Sequence, residues 1–447
     1  MWSLLRAIKS ANAKPEIQDE TIVQKEYSYW RWRIFYSIYI GYAICYFTRK
    51  SFTFVIPAIS TELNMDKASL GWIGSLMAIS YGLSKFVSGM LSDKSNPRYF
   101  MAIGLITTGF LNIAFGTMNC LWLFAITWFL NGWFQAFGCC ASIKSLTYWY
   151  SSSERGRWWG FWNTSHNVGG AIIPVIMAIS AAAYGWRFAM CVPGVIAILT
   201  GLWTFNRLRD TPRSLGLPII EKYKHELESF HAKQDKDTSS HMKIIWTYIL
   251  MNHYIWILAL GYFLVYIVRT ALNDWTMPFL IESKGYSYVQ AGQSILFFEL
   301  GGVFGGLFAG WFSDTFFHGK RGQTTVFFII GLFIVLLVFW KVPYHSLFLE
   351  NIVLAFLGFF VFGPHMPIGM SSIELSHKKV AVTSNGLIGW VGYFGAAVAG
   401  GAFGAVIDAM GWHGYYFLLL LCVLLTVFIL LPLYSVSTPP KKILQKA

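Results

Sequence analysis

The sequence predicts an all-α membrane protein, with twelve transmembrane helices arranged as two six-helix pseudo-repeats. Three observations predict it. The chain has 447 residues, of which 55% are hydrophobic and only 12% charged, with a mean hydropathy of +0.51. Soluble domains carry about 25% charged residues, so this chain has too little charge to cover the two or three soluble domains its length would make. Twelve segments reach the roughly 20 mostly apolar residues that cross a bilayer. Short motifs also recur about 220 residues apart.

The spans fall, in order, at 32–58, 69–92, 99–118, 120–146, 158–183, 187–206, 250–281, 290–314, 323–342, 347–374, 380–408 and 414–434. Internal Gly and Pro do not count against them, because neighbouring helices re-satisfy freed backbone groups in a membrane. Residues 1–31 form a polar cytoplasmic N-terminal segment without the apolar core of a signal peptide. Residues 32–206 make the first bundle and 250–434 the second. Between them, 207–249 is a polar cytoplasmic linker with eight Lys/Arg and six acids, and 435–447 is a cytoplasmic tail.

Loop charge sets the orientation. Lys94 and Arg98, Arg155 and Arg157, Lys320 and Arg321, and Lys378 and Lys379 occupy alternate loops, and Lys441, Lys442 and Lys446 the tail. The intervening loops hold single cations such as Lys67, Arg187, Lys284 or Lys341. The positive-inside rule places both termini in the cytoplasm, which needs an even number of spans.

The formal charge of +13 does not indicate nucleic acid, because the cations lie between apolar runs. The six cysteines, Cys45, Cys120, Cys139, Cys140, Cys191 and Cys422, form no C-x-x-C pair and read as small hydrophobes. No metal site or cofactor is expected. The absence of Walker, H-E-x-x-H and G-x-S-x-G motifs argues against ATP drive and hydrolysis, so the chain is not expected to be an enzyme. Gly301–Gly306 lies within a span and reads as helix packing.

The repeat is visible in three ordered pairs. Gly89-Met-Leu-Ser-Asp93 matches Gly310-Trp-Phe-Ser-Asp314, Gly185-Trp186 matches Gly411-Trp412, and Arg49 matches Arg269. Parallel six-span repeats put a substrate site at the midplane between halves. The two G-x-x-S-D loops resemble the signature loop of the major facilitator superfamily. More specific are Tyr46-Phe-Thr-Arg49-Lys50, Ser84-Lys85-Phe, Glu154-Arg155-Gly156, Trp162-Asn163-Thr-Ser-His166-Asn167-Val-Gly-Gly170 and Arg209-Asp210-Thr-Pro212. Asn273-Asp274-Trp275, Phe362-Gly363-Pro364, Ile368-Gly369-Met370 and Ser376-His377-Lys378 complete the set. Over about residues 25–435 these resemble the organophosphate:inorganic-phosphate antiporters, and Arg49-Lys50-Ser51-Phe52 with Gly369-Met370 resembles their hexose-phosphate branch of transporters and sensors.

Charges inside spans are expensive, by about 2.5–3.5 kcal/mol each on insertion scales, and mark functional candidates. They are Arg49, Lys50, Lys85, Lys144, Arg269, Asp274, Glu299 and Glu374, joined by His166 and His365. A phosphate monoester offers a dianion with three acceptor oxygens, and a guanidinium fork matches two of them while staying protonated. The resemblance implies that Arg49 and Arg269 bind phosphate, and that His166 is a ligand able to follow phosphate protonation. Lys50 adjoins Arg49. Tyr42, Tyr46 and Arg49 share a helix face, as do Tyr266 and Arg269; with Tyr81 and Tyr393 these phenols are candidate substrate contacts. Lys50–Asp274 and Lys85–Glu299 are expected to pair as gating bridges, since unpaired buried charge is costly. That pairing leaves the two arginines uncompensated when empty, and bound phosphate would permit closure. Lys144 reads as a snorkelling side chain, and Glu374 as a helix-end charge. Phe362 and His365 depart from the family pattern and bear on which ester is carried.

The resemblance therefore implies a monomeric antiporter in a bacterial inner membrane, exchanging a hexose phosphate, foremost glucose 6-phosphate, for inorganic phosphate by alternating access. Its partners are a phosphorylated sugar, inorganic phosphate and the lipid bilayer. The alternatives are a membrane sensor of external glucose 6-phosphate and an antiporter of another ester such as glycerol 3-phosphate.

Overall fold

Asp19 starts the first helix. Its carboxylate accepts from the backbone N–H of Thr21 at 2.9 Å and of Ile22 at 3.3 Å, satisfying donors that no helical carbonyl reaches. The helix then runs unbroken over Glu20–Glu62, so it begins twelve residues before the apolar stretch does. Hydropathy marks where a helix enters lipid, whereas the cap marks where it begins. The computed structural model describes residues 9–65, 67–226, 240–286, 288–341 and 347–435. The tail lysines Lys441, Lys442 and Lys446, and Lys233 and Lys236 of the linker, lie outside the described residues.

The remaining spans of the first repeat are Lys67–Lys94, Pro97–Gly116 and Leu121–Trp149, followed by Arg155–Asn163 with Ser165–Arg207. Asn96 caps the third through the Arg98 N–H at 3.0 Å, with Pro97 in the first turn, where its missing N–H costs nothing. The second repeat comprises His253–Lys284, Tyr288–Thr315, Arg321–Lys341, Leu347–Phe362 with His365–Glu374, and Ala381–Leu430. Among the described residues, eight helices are long and apolar enough to span by length and composition alone.

Two of these long helices each hold two spans. Ser165–Arg207 breaks at Gly185 (φ 80°, ψ 169°) and Ala381–Leu430 at Gly411 (φ 65°, ψ −167°). That backbone region is essentially closed to residues with a Cβ. The two Gly-Trp pairs of the sequence are thus the same chain reversal made twice, and twelve spans result. Open space surrounds both glycines, so any penalty on substitution is conformational. Gly185→Ala and Gly411→Ala should each cost about 1–3 kcal/mol. Thermal melts of the purified variants check this, and an unchanged midpoint in both would contradict it.

The chain forms two compact units. Unit 1 holds residues up to Ser151, Ser165–Ile244 and His377–Gly386; unit 2 holds Ser152–Thr164, Ile245–Ser376 and the chain from Leu387. The sequence division at 32–206 and 250–434 thus differs by two short exchanged segments. The G-x-x-S-D motifs explain the exchange. In unit 1, Asp93 accepts from the N–H of Val382 at 3.0 Å and of Thr383 at 2.9 Å, at the start of Ala381–Leu430. A Cβ on Gly89 would lie 2.9 Å from the Val382 carbonyl oxygen. In unit 2, Asp314 accepts from the N–H of Arg157 at 2.8 Å, in the first turn of Arg155–Asn163. A Cβ on Gly310 would lie 2.8 Å from the Gly156 carbonyl oxygen. In both motifs glycine admits a foreign backbone, and aspartate, one turn on, supplies acceptors for the N–H groups at that helix's start.

Packing in unit 1 centres on aromatic rings from several spans. Phe115 and Phe124 stack at 4.3 Å, with Trp128 5.2 Å from Phe115 and Phe52 5.3 Å from Trp128. Lipid is as apolar as these rings, so their shape fit, rather than escape from water, holds the spans together.

The ends of the spans carry buried ion pairs. The linker forms short helical turns at Pro212–Leu215, Ile220–Tyr223 and His241–Ile245. Lys144, expected to snorkel, is 2% exposed. It pairs with Asp210 at 3.4 Å and donates to Ser10 Oγ at 2.9 Å and to the Asp93 and Ser95 carbonyls. Linker and N-terminal segment cover the helix end that lysine would otherwise have reached past. Lys378 pairs with Glu221 at 2.9 Å, both buried. Glu374 does end a helix, as expected, but is buried against Arg321 at 3.1 Å. Arg321 also pairs with Asp314 and donates to Ser313 Oγ at 2.8 Å. The N-terminal segment is tied down as well: Ala11 N–H donates to Asp210 at 2.9 Å, Lys14 N–H to the Arg213 carbonyl at 2.9 Å and Ile17 N–H to the Gly216 carbonyl at 2.8 Å. Burial and the Lys94 ammonium push the His241 imidazole down to about 4, so it is neutral at pH 7.

Candidate functional half-sites

In unit 1 the helical period sets Tyr42, Tyr46 and Arg49 on one face of Glu20–Glu62. Arg49 Nη1 donates to the Tyr46 hydroxyl at 3.2 Å, and the guanidinium lies 3.9 Å over the Tyr81 ring and 4.7 Å over the Tyr46 ring. Tyr42 packs on Tyr46 at 5.6 Å, and His166 lies 5.4 Å from Tyr46. Spans one, two and five thus bring together five of the residues selected from sequence. Tyr42 and Tyr81 are buried; Arg49, Tyr46 and His166 are partly open. Aromatic faces attract a cation without neutralising it, so the arginine is held in place with its charge retained.

Lys50 stands apart from this cluster. It is exposed, with Nζ 3.5 Å from where a Cβ on Gly170 would sit. Lys85 is buried on the second span.

The segment behind Arg49 is fixed by residues the sequence reading did not select. Gln135 Nε2 donates to Thr48 Oγ1 at 2.7 Å. Asn131 Nδ2 and Asn112 Nδ2 donate to the Thr48 carbonyl at 2.9 and 3.2 Å, and Ser51 Oγ donates to Asn112 Oδ1 at 2.6 Å. All five side chains are buried. These bonds tie the helix to spans three and four on both sides of Arg49.

In unit 2, Tyr262, Tyr266 and Arg269 repeat the spacing of Tyr42, Tyr46 and Arg49. The Arg269 guanidinium lies 4.5 Å over Phe362 and 5.8 Å from the Tyr266 ring centre. Tyr266 contacts Tyr262 at 4.8 Å, His365 at 5.0 Å and Tyr393 at 5.1 Å. The sequence reading did not select Tyr262, although the repeat offset from Tyr42 points straight to it. Asp274, five residues past Arg269, is exposed and accepts from Asn273 Nδ2 at 3.2 Å; Glu299 is half-buried on the eighth span.

Each half-site therefore presents a guanidinium against aromatic faces, with phenol hydroxyls and an imidazole nearby. Fixed charge beside neutral hydrogen-bonding groups suits an anion carrying hydroxyls. Among the described residues, no group of three or more His, Cys, Asp or Glu could hold a metal ion.

Comparison with known proteins agrees with this architecture. The Major Facilitator Superfamily is matched over residues 38–400. The probable hexose phosphate transport protein of Chlamydia trachomatis is 49% identical over 433 residues, covering 94% of this chain and 95% of that protein. The membrane sensor protein UhpC of Escherichia coli is 41% identical, covering 98% and 99%. The glycerol-3-phosphate transporter of Bacillus subtilis is 36% identical, covering 92% and 94%. Among solved structures, the proton:xylose symporter XylE superposes with a TM-score of 0.70 at 11% identity, covering 91% of this chain and 96% of that one, which is likeness of fold. With a superfamily match over most of its length and relatives that align from end to end, this chain belongs to the major facilitator superfamily, in its organophosphate:inorganic-phosphate antiporter branch.

Proposed function

We propose that the protein is a secondary antiporter that exchanges a hexose phosphate, foremost glucose 6-phosphate, for inorganic phosphate by alternating access. It works as a monomer in a bacterial inner membrane with both termini in the cytoplasm. The observation that carries this reading is the repeated Tyr-x3-Tyr-x2-Arg face, which gives each unit one guanidinium. A phosphate dianion accepts from both forks and balances both charges. In this scheme bound phosphate favours closure of the carrier, and so favours exchange over leak. Lys50 with Asp274, and Lys85 with Glu299, serve as gating pairs in this scheme. The basic loop residues support the cytoplasmic placement of the termini.

A second reading has specific support. Likeness to a membrane sensor protein over 98% of this chain supports the alternative of a receptor for external glucose 6-phosphate. Glycerol 3-phosphate as cargo has the support of the Bacillus relative.

Reconstitution tests these readings together. Liposomes holding the purified protein and internal phosphate should take up labelled glucose 6-phosphate rapidly, and phosphate-free liposomes should not. Equal uptake by both would rule out obligatory exchange. Binding without uptake would favour the sensor, and exchange of glycerol 3-phosphate alone would change the cargo.

A further inference from the structure

Span ten is broken at a chosen place. Leu347–Phe362 stops before Gly363-Pro364, and Pro364, which has no N–H to continue the helix, precedes His365–Glu374. The break sets Phe362 and His365 against the same face of His253–Lys284. Phe362 lies under the Arg269 guanidinium, and His365 lies against Tyr262 and Tyr266, at 5.4 and 5.0 Å. His365 is buried, and its Nδ1 is 3.3 Å from the Tyr262 hydroxyl. The Tyr262 hydroxyl can donate to or accept from that nitrogen, so the contact orients the ring in either tautomer.

In unit 1, Tyr42, the counterpart of Tyr262, packs on Tyr46 as Tyr262 does on Tyr266, and its ring lies 3.8 Å from where a Cβ on Gly138 of span four would sit. Both units hold an imidazole one aromatic ring from the arginine; in unit 2 it lies against the Tyr262 hydroxyl, while Phe362 contributes no hydroxyl. A sugar phosphate is lopsided. Its phosphate is common to every monoester and to inorganic phosphate, and only its polyol separates it from them. A residue that selects the ester must act on the polyol.

We propose that His365, oriented by Tyr262, is a specificity-determining residue that hydrogen-bonds the hydroxyls of the sugar. Tyr262 is its positioning residue. The proposal rests on the phosphate-ester reading above and deepens it.

Equilibrium binding to the purified full-length protein tests it without requiring transport. Calorimetry would compare inorganic phosphate, ethyl phosphate (a monoester with no polyol) and glucose 6-phosphate. The readout is the ratio of the ethyl phosphate Kd to the glucose 6-phosphate Kd. His365→Ala should lower that ratio about tenfold or more, the usual effect of removing one good hydrogen-bonding partner. His365→Gln, which keeps a donor and an acceptor, should recover part of it, and Tyr262→Phe should lower it severalfold. A ratio within twofold of wild type in His365→Ala overturns the proposal. If that variant does not fold, an unchanged ratio in both His365→Gln and Tyr262→Phe overturns it instead. A wild-type protein that binds ethyl phosphate as tightly as glucose 6-phosphate overturns the specificity role alone, whereas one that binds neither ester nor phosphate overturns the phosphate-ester reading itself.

Discussion

Arg49→Lys and Arg269→Lys should each reduce phosphate-driven uptake of glucose 6-phosphate by roughly 100-fold or more. Lysine keeps the charge but loses the planar fork, so only the paired hydrogen bonds are removed. A hydrogen bond to a charged group contributes about 1.5–3 kcal/mol, and a single lost bond of that strength already lowers binding about 10- to 100-fold. The aromatic setting sharpens the effect. Tyr81 and Tyr46 hold the Arg49 guanidinium at 3.9 and 4.7 Å, and an ammonium on a flexible stem has no flat face to rest on either ring. Reconstituted variants with wild-type size-exclusion profiles would be assayed beside the parent. Uptake at half the parental rate in either variant would mean that the forks are not the phosphate grip.

Glu374→Ala should lower the thermal midpoint by roughly 5–10 °C. Removing one partner of a buried pair costs about 3–5 kcal/mol, because the other charge stays behind. Arg321 is fully enclosed and is held by Glu374, Asp314 and Ser313. The two carboxylates balance its buried charge. The informative companion is Arg321→Met with Glu374→Ala. With both charges gone and the volume filled, the double variant should melt above the single Glu374→Ala variant. A double variant that melts lower than the single would show that Arg321 is needed for its contacts with Asp314 and Ser313 rather than for balancing Glu374.

The twelve spans were legible because each needs about 20 apolar residues in succession, and lipid leaves a chain few other ways to satisfy its backbone. The two Gly-Trp reversals and the G-x-x-S-D pair were legible as repeats, but their mechanics were not. Nothing near Gly89 or Asp93 in sequence announces that residues 382 and 383 will meet them. Lys144 was misread for the same reason: its partners Asp210 and Ser10 lie far away along the chain and arrive only once linker and N-terminal segment fold over the helix end. The first helix starts ahead of its apolar span because a polar cap sets its start, and hydropathy does not register caps. The arginines stood out because intramembrane charge is rare, and Tyr42, Tyr46, Tyr81 and His166 do gather at Arg49. Tyr262 was readable from the repeat register. The Thr48 network, by contrast, joins side chains from three spans, and no local pattern in any one of them betrays it.

The exchanged segments have a consequence for biosynthesis. Unit 1 includes His377–Gly386, and its Asp93 caps a helix that starts near residue 381. The first unit therefore waits, with that aspartate unmatched, until most of the polypeptide has left the ribosome. The second unit in turn needs Ser152–Thr164, made long before it. Each half of the gene product completes the other, so a chain cut within the linker yields two fragments that are both unfinished alone. Simultaneous synthesis in one cell is what would let them mature. The same reciprocity discourages one half from evolving independently, since a change at either signature aspartate must suit a helix end encoded 157 or 289 residues away.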